Sequence, residues 1–328
     1  MRSGLQPLWR AAASLSVGAA VLILSGCASR VHLSFLDPQG PVADLQRRHF
    51  LEILGLLAIF VALPIFIVTP WFAWRYRYGS AVARYTPKWN FHPLLNIACW
   101  GGPMVIVALL GALLWGSTHT LDPYKPLVSS QPALRVQVIG YDWKWLFVYP
   151  DQGIASIGEL AVPVGRPLAM ELTSATVMQS LQIPALGSQI YAMGGMVTQL
   201  HLEASRPGRF LGENTMYSGD GFHDQKFTAV AMTAQQFQHW VQEVREKGVP
   251  LDAATLRAIS ERTTRAQLSA AVGRPASGEG GLYFRGATAA LFPAVVRQTM
   301  QANLRGPAGV GAVSASREAG ERTRAAGP

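Results

Sequence analysis

Apolar positions fall into three regimes along this chain. Over Ala11–Leu24, Ile53–Trp74 and Leu94–Trp115 they are nearly continuous. Between Ala133 and Met232 they alternate with polar residues, or form short runs bounded by Gly and Pro. After Thr233 they recur at helical spacing. The two longer runs hold about 22 residues each without Asp, Glu, Lys or Arg, enough to cross a hydrocarbon core. Pro64 and Pro70 in the first are tolerated where neighbours satisfy the freed carbonyls. Trp71, Trp74, Tyr76, Tyr78, Trp89 and Trp115 mark the interfaces of such spans.

The alternating stretch predicts strands. Val136 and Val138 alternate with Arg135 and Gln137. Tyr141 to Phe147 reads as one strand, with aromatic rings at odd positions on one face and Asp142 and Lys144 on the other. Further strands are expected over Leu168–Thr173, Val197–Ala204, Arg209–Asn214 and Phe227–Met232. Turns at Pro163–Gly165, Pro184–Gly187, Gly194–Gly195 and Pro207–Gly208 separate them. Short strands at this spacing imply a β-sandwich. Thr233-Ala234-Gln235-Gln236 has the capping-box pattern, and Phe237, Trp240, Val241 and Val244 follow on one helical face. Leu251–Ser260 predicts a second helix, and an aromatic-rich section runs from Leu282 to Met300.

Charge and cysteine usage narrow the reading. The net charge is +9, yet only 14% of residues are charged, and no nucleic-acid-binding motif accompanies them. Nucleic acid is therefore excluded as a partner. Cys27 and Cys99 are the only cysteines, so neither a disulfide framework nor a thiolate metal site is available after residue 120. Arg2 and Arg10, the apolar stretch to Leu24 and the lipobox Leu24-Ser25-Gly26-Cys27 form a lipoprotein signal. The thiol of Cys27 takes the lipid and becomes the mature N-terminus. An ordinary signal peptide, or a first spanning helix, is the plainer reading. Arg75, Arg77, Arg84 and Lys88 between the spans place that loop in the cytoplasm. Cys27 and everything after Trp115 then lie outside, the side that the lipobox also requires.

The expected organisation is a signal over 1–26, an N-terminal segment with a two-helix hairpin over 27–120, and an extracytoplasmic sandwich over 121–232. A helical, aromatic-rich section over 233–304 and a disordered Gly/Ala/Ser tail over 305–328 complete it. The fold class is thus membrane-anchored all-β: two transmembrane helices, a β-sandwich and C-terminal helices. No P-loop, H-E-x-x-H, C-x-x-C or nucleophile elbow is present, so no self-contained active site is expected.

Val177-Met178-Gln179-Ser180-Leu181-Gln182-Ile183-Pro184-Ala185-Leu186-Gly187 resembles the V-x-H-S-F-x-I-P-x-L-G stretch of the cytochrome oxidase subunit II family. Asn214 to Gln225 resembles that family's C-x-E-x-C-G-x-x-H-x-x-M, and Gly140 to Trp145 its G-x-x-W-x-W segment. The resemblance implies a cupredoxin-like sandwich. It also places Gln179, Asn214, Ser218, Phe222 and Gln225 at the five positions of the lost copper ligands. A dinuclear copper centre needs thiolates and imidazoles, and none of the five supplies either. The chain therefore resembles the quinol-oxidase branch, subunit II of a bo3-type ubiquinol oxidase. That implies no catalytic residue, metal or cofactor on this chain. It also implies haems and copper in a partner subunit I, subunits III and IV, contact with membrane lipid, and ubiquinol as substrate of a proton-translocating complex. The place is the bacterial inner membrane, as a multi-pass lipoprotein with a periplasmic C-terminal domain.

Trp143, Trp145 and Asn96 are the subunit-interface candidates. Aligned on Trp100 and Pro103, Asn96 stands where the family has an acidic residue near a proton-uptake path. Glu52 and His92 are the titratable residues considered in its place, each otherwise an interfacial residue. His223 lies one residue past a lost ligand, and His201 falls on the polar side of its strand. Both are expected as solvated or satisfied histidines. Two other readings stay open: a membrane-anchored, copper-free cupredoxin-like binding or assembly protein, and a cytochrome c oxidase subunit II.

Overall fold

The computed structural model describes residues 36–78, 91–273 and 280–305. The lipobox with Cys27, the loop positions Arg84, Lys88 and Trp89, and the tail from 306 lie outside the described residues.

Two helices stand apart from a two-sheet body. Helix α1, Pro41–Arg75, runs 35 residues with a π-turn over Ala58–Ala62, and α2 is Pro93–Thr120. Both are long and apolar enough to cross a membrane, and their most apolar windows bury nothing within the chain. Extended backbone at Gly40 and proline at the first helical position start α1, twelve residues before the charge-free run. The added stretch includes the ion pairs of Asp44 with Arg47 and Arg48. Its first turn buries Val42 and Ala43 against Gly187, whose φ of +109° and lack of a side chain permit the approach. Gln39 N–H donates to Ala185 O, and Ser205 N–H to Gln39 O, tying the chain to the sandwich beside this helix end.

The body has strands β1 (Leu134–Tyr141), β2 (Lys144–Tyr149), β3 (Ile154–Ile157), β4 (Glu159–Pro163), β5 (Leu168–Ser174) and β6 (Gln179–Ile183). It continues with β7 (Gly187–Ala192), β8 (Thr198–Leu202), β9 (Gly208–Asn214), β10 (Lys226–Met232), β11 (Val249–Pro250) and β12 (Leu282–Arg285). Helices α3 (Ala234–Lys247), α4 (Ala253–Ser260), α5 (Arg265–Ala271) and α6 (Leu291–Arg305) complete it. One sheet has the order β11-β12-β3-β2-β1-β5-β8, the other β4-β10-β9-β6-β7. β1/β5 and β4/β10 are parallel, which joins the sandwich by crossovers rather than hairpins alone.

A first core lies between the sheets, with Trp145, Phe147, Tyr149, Leu172, Leu181 and Phe227 among its members. Helix α3 adds Phe237, Trp240, Val241 and Val244 to it, and the expected capping box of Thr233 and Gln236 is formed. A second core lies on the far side of the larger sheet. There Ile139, Tyr141, Leu146 and Val148 meet Ile259 of α4, Leu268 of α5 and Phe292 and Val295 of α6. The central strands of the larger sheet are therefore covered on both faces, and every residue of β2 and β3 is buried.

That double burial corrects the strand expected over Tyr141–Phe147. The segment is a hairpin: Tyr141 pairs with Lys144, and Asp142 and Trp143 form a two-residue turn. Trp143 has a φ of +62°. Lys144 is buried, so the polar face expected for it does not exist. Strands β3, β4, β6, β7, β11 and β12 lie outside those predicted from periodicity: β3 and β4 are wholly buried, so their residues do not alternate, and the others are short.

The helix pair also separates Glu52 from Asn96. Asn96 lies in the first turn of α2, next to the capping residue His92. Glu52 lies about 34 Å of helical rise from Arg75, toward the sandwich end, and is paired with His49 at 3.1 Å. Glu52 therefore cannot stand in for Asn96, whereas His92 shares its end of the pair.

Candidate functional site

Four of the five positions singled out in the sequence meet in one place. Gln179 opens β6, Asn214 closes β9, Ser218 lies in the loop beyond, and Gln225 stands just before β10. Neighbouring strands β6 and β9 set Leu181 opposite Asn214, which brings the first two together. All four residues are buried.

Their polar atoms satisfy one another. Gln225 Nε2 donates to Gln179 Oε1 at 2.6 Å, and Asn214 Nδ2 donates to Gln225 Oε1 at 2.9 Å. Ser218 Oγ donates to the same Gln225 oxygen at 3.2 Å and accepts from Asn214 Nδ2 at 3.3 Å. Asn214 Oδ1 accepts from the backbone N–H groups of Ser180 and Met216 at 2.9 and 3.0 Å. Gln179 Nε2 donates to Tyr141 O at 3.1 Å, fastening the cluster to the larger sheet. Asn214 thus uses both donors and both acceptor directions, as a buried amide requires.

Gly140 on β1 makes room for this arrangement, since a Cβ there would overlap Gln179 Oε1 and lie 3.1 Å from the Trp145 ring. Phe222, the fifth position, is outside the cluster. It is half-buried in a 3₁₀ turn over Phe222–Asp224, with its ring 5.8 Å from that of Tyr217. His223 is exposed and pairs with Asp224, and His201 sets Nδ1 3.0 Å from Pro123 O, so neither histidine reaches the cluster. The donor set is amide and hydroxyl, neutral and fully engaged. Copper does not fit it, because soft thiolate or imidazole donors are lacking and the amides close on each other. Among the described residues, no group of three or more His, Cys, Asp or Glu could hold a metal ion.

The interface candidates separate. Trp145 has 1% of its surface exposed, inside the first core, and so has no face to offer a partner. That expectation is corrected: Trp145 is a core residue. Trp143 borders the cluster, its Nε1 donating to Ser218 O at 3.2 Å. Asn96 is exposed on α2. Lys144 was missed as a site residue, since a lysine in an alternating run reads as solvated. Its Nζ donates to Asp142 O, Glu261 O, Thr263 O and Thr263 Oγ1 at 2.7–3.2 Å. Burial pushes its pKa down to about 8, against the pull of Asp142 and Glu261.

Residues 154–225 match the family described as Cytochrome C oxidase subunit II, periplasmic domain. The chain is 43% identical over 237 residues to ubiquinol oxidase subunit 2 of Acetobacter aceti, covering 71% of this chain and 75% of that one. It is 42% identical over 241 residues to the cytochrome bo(3) ubiquinol oxidase subunit 2 of Pseudomonas putida, covering 74% and 75%. It is 33% identical over 236 residues to quinol oxidase subunit 2 of Bacillus subtilis strain 168, covering 70% and 71%. Among solved structures, the periplasmic domain of subunit II of cytochrome oxidase from Bradyrhizobium japonicum is similar at 23% identity. The match covers 37% of this chain and 99% of that one, with a TM-score of 0.34.

Proposed function

This chain belongs to the ubiquinol oxidase subunit 2 family and is a subunit of a terminal quinol oxidase; we propose that within it the chain is an accessory subunit with no catalytic residue and no cofactor of its own. One observation carries this reading: four of the five positions of the lost ligands hold a closed cluster of amides and a hydroxyl. A group that shuttles electrons must change its redox state at a modest potential, and amides and hydroxyls cannot. Haems and copper belong to the partner subunit I. Subunits III and IV complete the assembly, and proton translocation is a property of the whole.

In this reading 27–120 anchors the chain, 121–232 is the periplasmic cupredoxin-like domain, and 233–304 braces it. The domain meets subunit I through the apolar rim around the cluster. Val177 and Met178, just before Gln179, and Tyr217, just before Ser218, are exposed, as are Met196 and Met300. Such a patch marks a surface that is covered in the assembly. Asn96 stands at the other end of the helix pair as a non-titrating contact.

The test is metal content. The full chain, exposed to copper and freed of excess, is expected to retain less than stoichiometric metal and to show no thiolate charge-transfer bands. Two tightly held coppers with such bands would overturn the reading. The anchoring proposal has its own check. Cells fed labelled palmitate are expected to label the wild type at Cys27 and to lose the label with Cys27→Ala; equal labelling would leave the cysteine without that role.

A further inference from the structure

Trp143 is the only non-glycine residue among those described whose φ lies in the left-handed region. A large ring at the tip of a two-residue hairpin ordinarily projects into solvent. This one is 9% exposed. Gly221 lies against one face of the indole, where a Cβ would overlap the ring. The Arg262 guanidinium lies over the ring, 5.0 Å from its centroid.

Arg262 sits in the short connection between α4 and α5. That connection has little packing of its own. Glu261 and Arg262 are exposed, α4 buries Ile259, and α5 buries only Leu268 and Ser269. What ties it down is Lys144. Its ammonium reaches across from the hairpin to two carbonyls and one hydroxyl of Glu261 and Thr263, at 2.7–3.0 Å. Charge-assisted bonds of this kind are strong for their number, and they are concentrated on one side chain. Segments with few buried apolar contacts open at a free energy well below that of the whole domain. Here the hairpin and both sheets can stay intact while the connection lifts.

We propose that Glu261–Thr264 is a lid closed over Trp143, with Lys144 as its latch and the Arg262 guanidinium as its seal. Lifting the lid uncovers the indole face beside the amide cluster and leaves the sandwich folded.

Limited trypsin digestion of the full chain in detergent tests it, because Arg262 and Arg265 are cleavage sites in and beside the lid. Lys247 and Arg209, elsewhere in the domain, serve as internal references. Cleavage follows the open population when opening is fast relative to cutting. With Lys144→Met, cleavage after Arg262 and Arg265 is expected to rise about tenfold relative to the reference sites. Unchanged ratios, or an equal rise at every site, would overturn the lid. Should Lys144→Met fail to fold, Arg262→Gln decides, since it alters an exposed side chain. Cleavage after Arg265 is then expected to rise roughly two- to fivefold relative to the references, the weight of one cation–π contact. No change would overturn the proposal.

Discussion

Purified through a tag on this chain, the parent complex is expected to take up oxygen with reduced ubiquinol-1 and to remain at background with reduced cytochrome c. A soluble haem protein delivers one electron at a time to the outer face of a membrane complex. It needs an acceptor there, close enough to pass the electron inward. In this domain the place for that acceptor is filled by Gln179, Asn214, Ser218 and Gln225, none of which can be reduced. Without such an acceptor an incoming electron finds no redox group in this domain to enter through. A lipid-soluble quinol avoids that need by reaching the complex from within the bilayer. Cyanide-sensitive uptake with ubiquinol-1 alone is the expected result. Fast uptake with cytochrome c alone would contradict the function. No uptake with either donor, and no haem in the preparation, would return the chain to the class of membrane-anchored binding proteins.

The two spanning helices were legible because a charge-free run of that length has few other uses. The extension of α1 back to Pro41 was not, since Asp44, Arg47 and Arg48 make that stretch polar and only its first turn is anchored, against Gly187. Strands β5, β8, β9 and β10 were legible because each has one face toward the core and another toward solvent or a partly covered surface. Strands β2 and β3 carry apolar residues on both faces, and there alternation loses its meaning. The same blindness hid the turn at Asp142–Trp143, where Trp143 and Lys144 read as two more steps of a strand. The positions of the amide cluster were legible only through resemblance to a family motif. Their closure on each other depends on side-chain geometry and on Gly140, which comes from a different sheet.

That closure makes Gln225 sensitive to the loss of its polar atoms. Gln225→Leu removes one acceptor and one donor from a buried site. Asn214 Nδ2 and Ser218 Oγ lose the oxygen they share, and Gln179 Oε1 loses its donor. Leucine is close in volume to the lost amide, so the cost is mainly electrostatic: buried polar groups without partners. Each such group costs about 1–3 kcal/mol, and members of a network fall together. A loss of about 3–5 kcal/mol in unfolding free energy is expected, a large share of the margin of an ordinary domain. Gln235→Leu, on the exposed face of α3, is the control and should change stability by less than about 0.5 kcal/mol. Urea unfolding of both variants, followed by near-ultraviolet circular dichroism, makes the comparison. Because burial rather than sequence type separates the two glutamines, equal midpoints for both would mean that the cluster is wet and open. The closure of the amides on one another would then be disproved, leaving only their lack of thiolate and imidazole donors to stand against copper.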